Sequence, residues 1–251
     1  MTAVRYEVRH GIATLTLAEP ENKNALNARI INGLGDGLSA AAADEAVRVI
    51  VVTHEGTTFC AGADLKGGGP AETPRYSFPD VLAGIQDSPK PVVAVLRGHC
   101  MGGGVGLAAA ADLSLASTDV TFGFAEVRIG VAPAMISVVR LPKLSRADAA
   151  ELFLTGRRIA AARAAEVGLI NRAVAPPDLD NEVRALLDEI VAGGPQALAA
   201  TKMLLSSVPA LSRSEAFAFT QTLSTELFRS SEAAEGIAAF RERRPPAWMP
   251  S

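Results

Sequence analysis

An apolar run, Pro91-Val92-Val93-Ala94-Val95-Leu96, leads within two residues into Gly98-His99-Cys100-Met101-Gly102-Gly103-Gly104-Val105-Gly106. Few folds accept that order. It predicts a buried strand, a glycine bend and an alanine-rich helix from Gly103 to about Ala111. Bare backbone N–H groups and the positive end of a helix dipole then face whatever anion or polarised oxygen sits at the bend. Upstream, Phe59-Cys60-Ala61-Gly62-Ala63-Asp64 supplies a second strand-to-glycine bend. Two N–H donors converging on one oxygen form an oxyanion hole, which points to carbonyl or thioester chemistry.

The 251 residues carry a formal charge of −3, and about half are apolar with few aromatics. The core is therefore built from Ala, Val, Leu and Ile, and the charge gives no footprint for nucleic acid. The longest apolar run, Val105 to Ala111, is too short to span a bilayer. The two cysteines, Cys60 and Cys100, sit beside the glycine bends and read as small buried fillers. Without a cysteine framework or signal peptide, a cytoplasmic setting is expected.

Val4 to Arg9 and Ile12 to Leu17 alternate apolar and polar residues around His10-Gly11, as a hairpin does. Asn27 is a candidate N-cap for a helix carrying Ile30, Ile31, Leu34 and Leu38 at helical spacing. Val47 to Thr53 reads as a strand buried on both faces. Lys66 to Pro79, rich in Gly and Pro, reads as a mobile surface loop. Asp80 to Gln86 is helical by pattern, and Leu113 to Ala116 is a strand. From Arg146 the pattern turns helical, over 147–154, 161–167, 179–192, 195–206, 213–228 and 232–241. Alternating strands and helices predict an α/β core.

Gly104-Val105-Gly106-Leu107-Ala108-Ala109 formally fits a dinucleotide fingerprint, but Gly98 to Gly103 intervene after its strand and the helix is too short for a βαβ unit. No Walker lysine follows. Phe59 to Leu65, Lys90 to Val95, Gly98 to Gly104 and Ala111-Asp112 resemble instead the signature blocks of the enoyl-CoA hydratase/isomerase (crotonase) superfamily. Asn24-Ala25-Leu26-Asn27, Phe122 to Glu126, Gly130 to Pro133, Leu154-Thr155-Gly156 and Phe240 to Pro245 extend the resemblance over nearly the whole chain.

The resemblance implies a crotonase-like ββα spiral core over residues 1–190 and a C-terminal helical region over 191–251. That region is expected to pack a homotrimer or a dimer of trimers. It implies that the N–H groups of Ala63 and Gly103 hold the thioester oxygen of an acyl-CoA, and that Glu126 is the catalytic acid/base. It also carries CoA contacts onto Lys23, Ala25, Ala61, Asp64, Leu65 and Arg243, the last reaching a neighbouring subunit. For Lys23 and Arg243 a solvated surface charge is an equal reading, as it is for Lys66. For Asp64 and Asp112 internal hydrogen bonding is the favoured one. Asp112 opposes the helix dipole and must find another partner. His99 reads as a packing or hydrogen-bonding residue, and His10 and His54 as turn residues.

One departure matters for mechanism. Family hydratases carry a second glutamate at the position of Gly106. Adding water across a double bond divides naturally between two carboxylates, whereas moving a double bond needs a single base. Glu126 either pairs with a base such as Arg128 or is available for catalysis. Hydration of 2-enoyl-CoA is placed narrowly first, isomerisation by Glu126 alone second. A non-catalytic acyl-CoA binder is the alternative of another class. No metal or redox cofactor is implied, and CoA enters as part of the substrate. Acyl length and branching are not encoded legibly, although Met135 and Ile136 are expected to shape that pocket.

Overall fold

The computed structural model describes residues 2–66 and 72–249. In chain order its elements are β1 (Val4–Arg9), β2 (Ile12–Leu17), α1 (Ala28–Ala43), β3 (Val49–His54), β4 (Thr58–Cys60) and α2 (Phe78–Asp87). Then come β5 (Val92–Leu96), β6 (His99–Met101), α3 (Gly103–Ala110), β7 (Leu113–Ser117), β8 (Thr121–Gly123) and α4 (Ala134–Arg140). The chain continues through α5 (Arg146–Thr155), β9 (Arg158–Ala160), α6 (Ala161–Glu166), β10 (Arg172–Val174) and α7 (Leu179–Ala192). It ends with α8 (Pro195–Ser207), α9 (Arg213–Phe228) and α10 (Ser231–Glu242).

One sheet has the strand order β1-β2-β3-β5-β7-β10, antiparallel only between β1 and β2. Their hairpin turns on His10 and Gly11, both at positive φ, the geometry that matches strand twist. The central strands are buried on both faces, and side-chain alternation divides them. Ile50, Val52, Val92, Ala94 and Leu96 join the main core, under α1, α2 and α3. Val49, Val51, Val93, Val95 and Leu115 face the other way, beneath Leu179, Val183, Leu187 and Val191 of α7.

A second, smaller sheet of three-residue strands runs β4-β6-β8-β9. Sequence patterning misses it because each strand is too short to show a period. The Gly98–Gly103 stretch is therefore more than a bend: His99 to Met101 pair with β4 and β8 before α3 begins.

Several local expectations need correction. Helix α2 begins two residues early, because Ser77 and Asp80 form a capping box and Pro79 fits the first turn. Residues 72–76 of the expected mobile loop are tied down, with Asn32 bonding Glu72, Thr73 and Arg75. Residues 67–71 lie outside the described residues. His54 is no turn residue: it ends β3, is buried, and its Nε2 accepts the Arg97 N–H at 3.0 Å.

Asp112 finds the partner its position demanded. Its Oδ2 accepts the Val92 N–H at 2.7 Å and pairs with Lys202 of α8 at 2.7 Å. Lys202 Nζ also donates to the carbonyls of Ile85 and Lys90, and Lys143 Nζ donates to Ala111 O. Two cations thus answer the negative end of α3. Burial pushes the Lys202 ammonium down, and Asp112 opposes that shift. Asp112→Asn keeps the shape but leaves that buried charge facing only carbonyls. It should cost about 3 kcal/mol, read as a lower urea midpoint at unchanged slope.

Candidate active site

The first bend is built by Asn24, which is fully buried at positive φ. Its side chain donates to Glu55 O and Thr58 O and accepts the Glu19 N–H. That anchor sets residues 23–26 beside 61–63, where Ala61 N–H bonds Lys23 O and Leu26 N–H bonds Gly62 O at 2.7 Å. The second bend leaves β6 at Met101 and enters α3 at Gly103.

The bends touch at Gly62. It holds φ +89°, and a Cβ there would lie 3.2 Å from Met101 O and 3.3 Å from Gly103 N. Only glycine serves such a contact. As first residue of α3, Gly103 has no intrahelical acceptor for its N–H. Among the described residues, no backbone carbonyl outside helices and strands takes the N–H of Ala63 or of Gly103.

Both residues line a cavity of about 600 Å³ together with Leu26, Ala61, Leu65 and Phe78. Glu126, Ile129, Met135 and Ile136 line it as well. Glu126 sits on a 3-10 turn (Ala125–Ile129) that follows β8 and is closed by Gly130 in the left-handed conformation. Its Oε1 would lie 3.2 Å from a Cβ on Gly102, the neighbour of Gly103. Its Oε2 is buried without a hydrogen-bond partner. The candidate base Arg128 does not hold it, since that guanidinium donates to Gly156 O and Thr155 O.

Ala61 and Leu65 lie on the cavity wall, with Leu65 73% exposed. Lys23 is exposed beside the wall through its carbonyl contact with Ala61. Ala25 is buried and off the wall, where Leu26 takes its place. Asp64 accepts from Lys66 N–H and from Asn22 Nδ2, as local hydrogen bonding requires. Arg243 caps α10 in the left-handed conformation and does not line the cavity. His99 Nδ1 is paired with the Thr121 hydroxyl. Burial pushes the Cys60 thiol up to about 12 and the Cys100 thiol well above its usual range, so both are inert fillers.

Sequence profiling matches residues 7–250 to the family described as enoyl-CoA hydratase/isomerase. The chain belongs to that family. It is 34% identical over 247 residues to a carnitinyl-CoA dehydratase of Salmonella arizonae, covering 94% of each chain. A solved enoyl-CoA hydratase of Mycobacterium tuberculosis H37Rv is 35% identical, with a TM-score of 0.90 over 100% of both chains. One from Mycobacterium smegmatis is 32% identical, with a TM-score of 0.88 over 98% of each. The mixed α/β architecture is that of the crotonase superfamily.

The site departs from a two-carboxylate plan at Gly106, and α4 explains how. A Cβ on Gly106 would lie 2.7 Å from Ile136 Cγ2 and 3.4 Å from Phe78 Cζ. Ile136 occupies the space a side chain would need. The α4 helix was missed in the sequence because it is short and starts directly after Pro133 without a polar cap. Gly106→Ala should overpack this contact and cost about 1–3 kcal/mol. Ile136→Ala removes the clashing methyl, so the double variant should lose at least about 0.5 kcal/mol less than the sum of the single changes in a denaturation cycle.

Proposed function

We propose that this protein is an acyl-CoA enzyme that forms a thioester enolate, with Glu126 as its one acid/base group. The observation that carries the reading is a partnerless carboxylate oxygen on a residue packed against Gly102, one position from the candidate donor Gly103. Ala63 and Gly103 N–H groups would take the thioester oxygen as it becomes negative, strengthened by the end of α3.

Closure of the Gly106 side by Ile136 favours isomerisation over hydration. Glu126 removes a proton from C2 of a 3-enoyl thioester, and the electrons pass to the oxygen held by the two amides. The protonated carboxyl then returns the proton to C4 while the C2–C3 double bond forms. One group suffices for both transfers. Hydration is the second reading, supported by the relatives named hydratase and dehydratase. There Glu126 must both orient the water and pass its proton to C2, because the space at Gly106 is filled by Ile136 and Phe78 and offers no second carboxylate.

The apolar lining from Phe78, Ile129, Val131, Met135 and Ile136 suits a hydrocarbon acyl group. Lys23 and Leu65 at the exposed rim suit the CoA moiety. Self-association would run through the last two helices, where Phe217, Phe228 and Phe240 stand exposed, Phe240 at 86%. That assembly is also what would bring Arg243 to a neighbouring site.

Supplied separately with 3-enoyl-CoA and 2-enoyl-CoA, the protein should generate conjugated thioester absorbance from the first. Loss of absorbance from the second, with a 3-hydroxyacyl product, would make it a hydratase. Glu126→Gln should lower kcat about 10²–10⁴-fold. Equal and negligible turnover of both forms with retained acyl-CoA binding would leave a binder without catalysis. Light scattering should give three or six copies, and a monomer would remove Arg243 from the site.

A further inference from the structure

Helix α4, which lends Ile136 to the cavity, carries a charge that the reaction as described does not use. Arg140, last residue of α4, is fully buried, and its Nε, Nη1 and Nη2 all lack a hydrogen-bond partner. It stands one helical turn after Ile136, which lines the cavity. Its guanidinium carbon lies 4.3 Å from the centre of the Phe124 ring. Phe124 is the N-cap of the 3-10 turn that carries Glu126.

A buried guanidinium costs several kcal/mol unless something answers its charge. The ring face answers part of it. The charged or titratable groups around it are few. Cys100 approaches from β6, Glu126 from the 3-10 turn, and Lys143 from the loop after α4, itself bound to Ala111 O and pulled toward Asp112. Helix α3, packed along α4, is composed of Gly, Val, Leu and Ala and contributes no ionisable side chain. The Cys100 thiol is held neutral by burial. Among the described residues Glu126 is therefore the anion that acts on Arg140, and its Oε2 is as partnerless as the guanidinium. Burial pushes the Arg140 guanidinium down, and Glu126 is among the groups that oppose this.

We propose that Arg140 is a positioning residue for Glu126, its buried charge seated on Phe124 and drawing Oε2 toward it while Oε1 faces Gly102. The two groups form no direct ion pair, so the coupling acts through the low-dielectric interior or through water shared by their free polar atoms. This rests on Glu126 as the acid/base group, and the tests below separate the two claims.

With arginine side chains labelled with ¹⁵N, the Arg140 resonance of the ligand-free protein should move sigmoidally with pH, and Glu126→Gln should abolish that movement. A resonance that is flat, or that titrates identically in the variant, overturns the inference without touching the function. In turnover of whichever enoyl-CoA is accepted, Arg140→Met should lower kcat by about tenfold or more with KM little changed, because a misplaced acid/base group loses rate before it loses binding. Arg140→Lys, which keeps a cation, should recover most of that loss. A purely structural arginine would lower the melting temperature of Arg140→Met but leave kcat of the folded fraction in place. If Arg140→Met fails to fold, the labelled wild-type titration still decides. If Glu126→Gln retains full turnover, the functional reading falls instead.

Discussion

The site depends on the close approach of two stretches of backbone. Gly62 at φ +89° comes so near the second bend that a Cβ on it would crowd Met101 O at 3.2 Å and Gly103 N at 3.3 Å. Any side chain at Gly62 would hold the bends apart, and with them the candidate donors Ala63 and Gly103. Donors fixed before substrate arrives need no reorganisation as charge develops, which makes backbone geometry the main catalytic asset of such a site. Most of the surrounding fold serves to hold that contact. Asn24 binds the first bend to β4, and the Asp112–Lys202 pair fixes the far end of α3.

Buried polar residues do much of this fixing. Asn24, Asn32 and Lys202 are buried and Asp112 is half-buried, and each takes several partners. Each is expensive to bury unpaired and therefore tolerates few alternative arrangements. The apolar clusters on the two faces of the larger sheet supply cohesion. The polar residues choose which loop meets which strand, and so where the cavity opens.

Much of this was legible in the sequence, for identifiable reasons. The hairpin, α7 and α9 carry alternation, helical periodicity or a capping box, and their limits fall within a residue or two of those expected. Helix α1 starts after the expected cap Asn27, and α3 was legible from the glycine bend before it rather than from a period or a cap. The small sheet left no pattern because three residues cannot show alternation. Helix α4 hid behind Pro133. At the site, Ala63, Gly103 and Glu126 stood inside recognisable blocks and share the cavity. What closes the space at Gly106 was not legible, because Ile136 lies thirty residues downstream on an element the pattern did not reveal. Arg140 was missed on the same helix: a basic residue in an apolar stretch reads as exposed unless its neighbours are known.

Ile136 and Arg140 belong together physically. Four residues apart, they lie on one face of α4, which packs on α3. The first denies the cavity a second carboxylate by filling the space above Gly106. The second brings a positive charge that acts on Glu126. In a site with two acidic groups each carboxylate feels its like-charged neighbour, and the pair shares its protons. Remove one and that repulsion vanishes, so the remaining group answers chiefly to whatever cation lies near it. On the proposed reading, a single helix face thus bears both on the number of acid/base groups and on the surroundings of the one that remains. That is the arrangement the proposed one-base proton transfer needs, and on that reading α4, rather than the glycine bends, would control the proton chemistry.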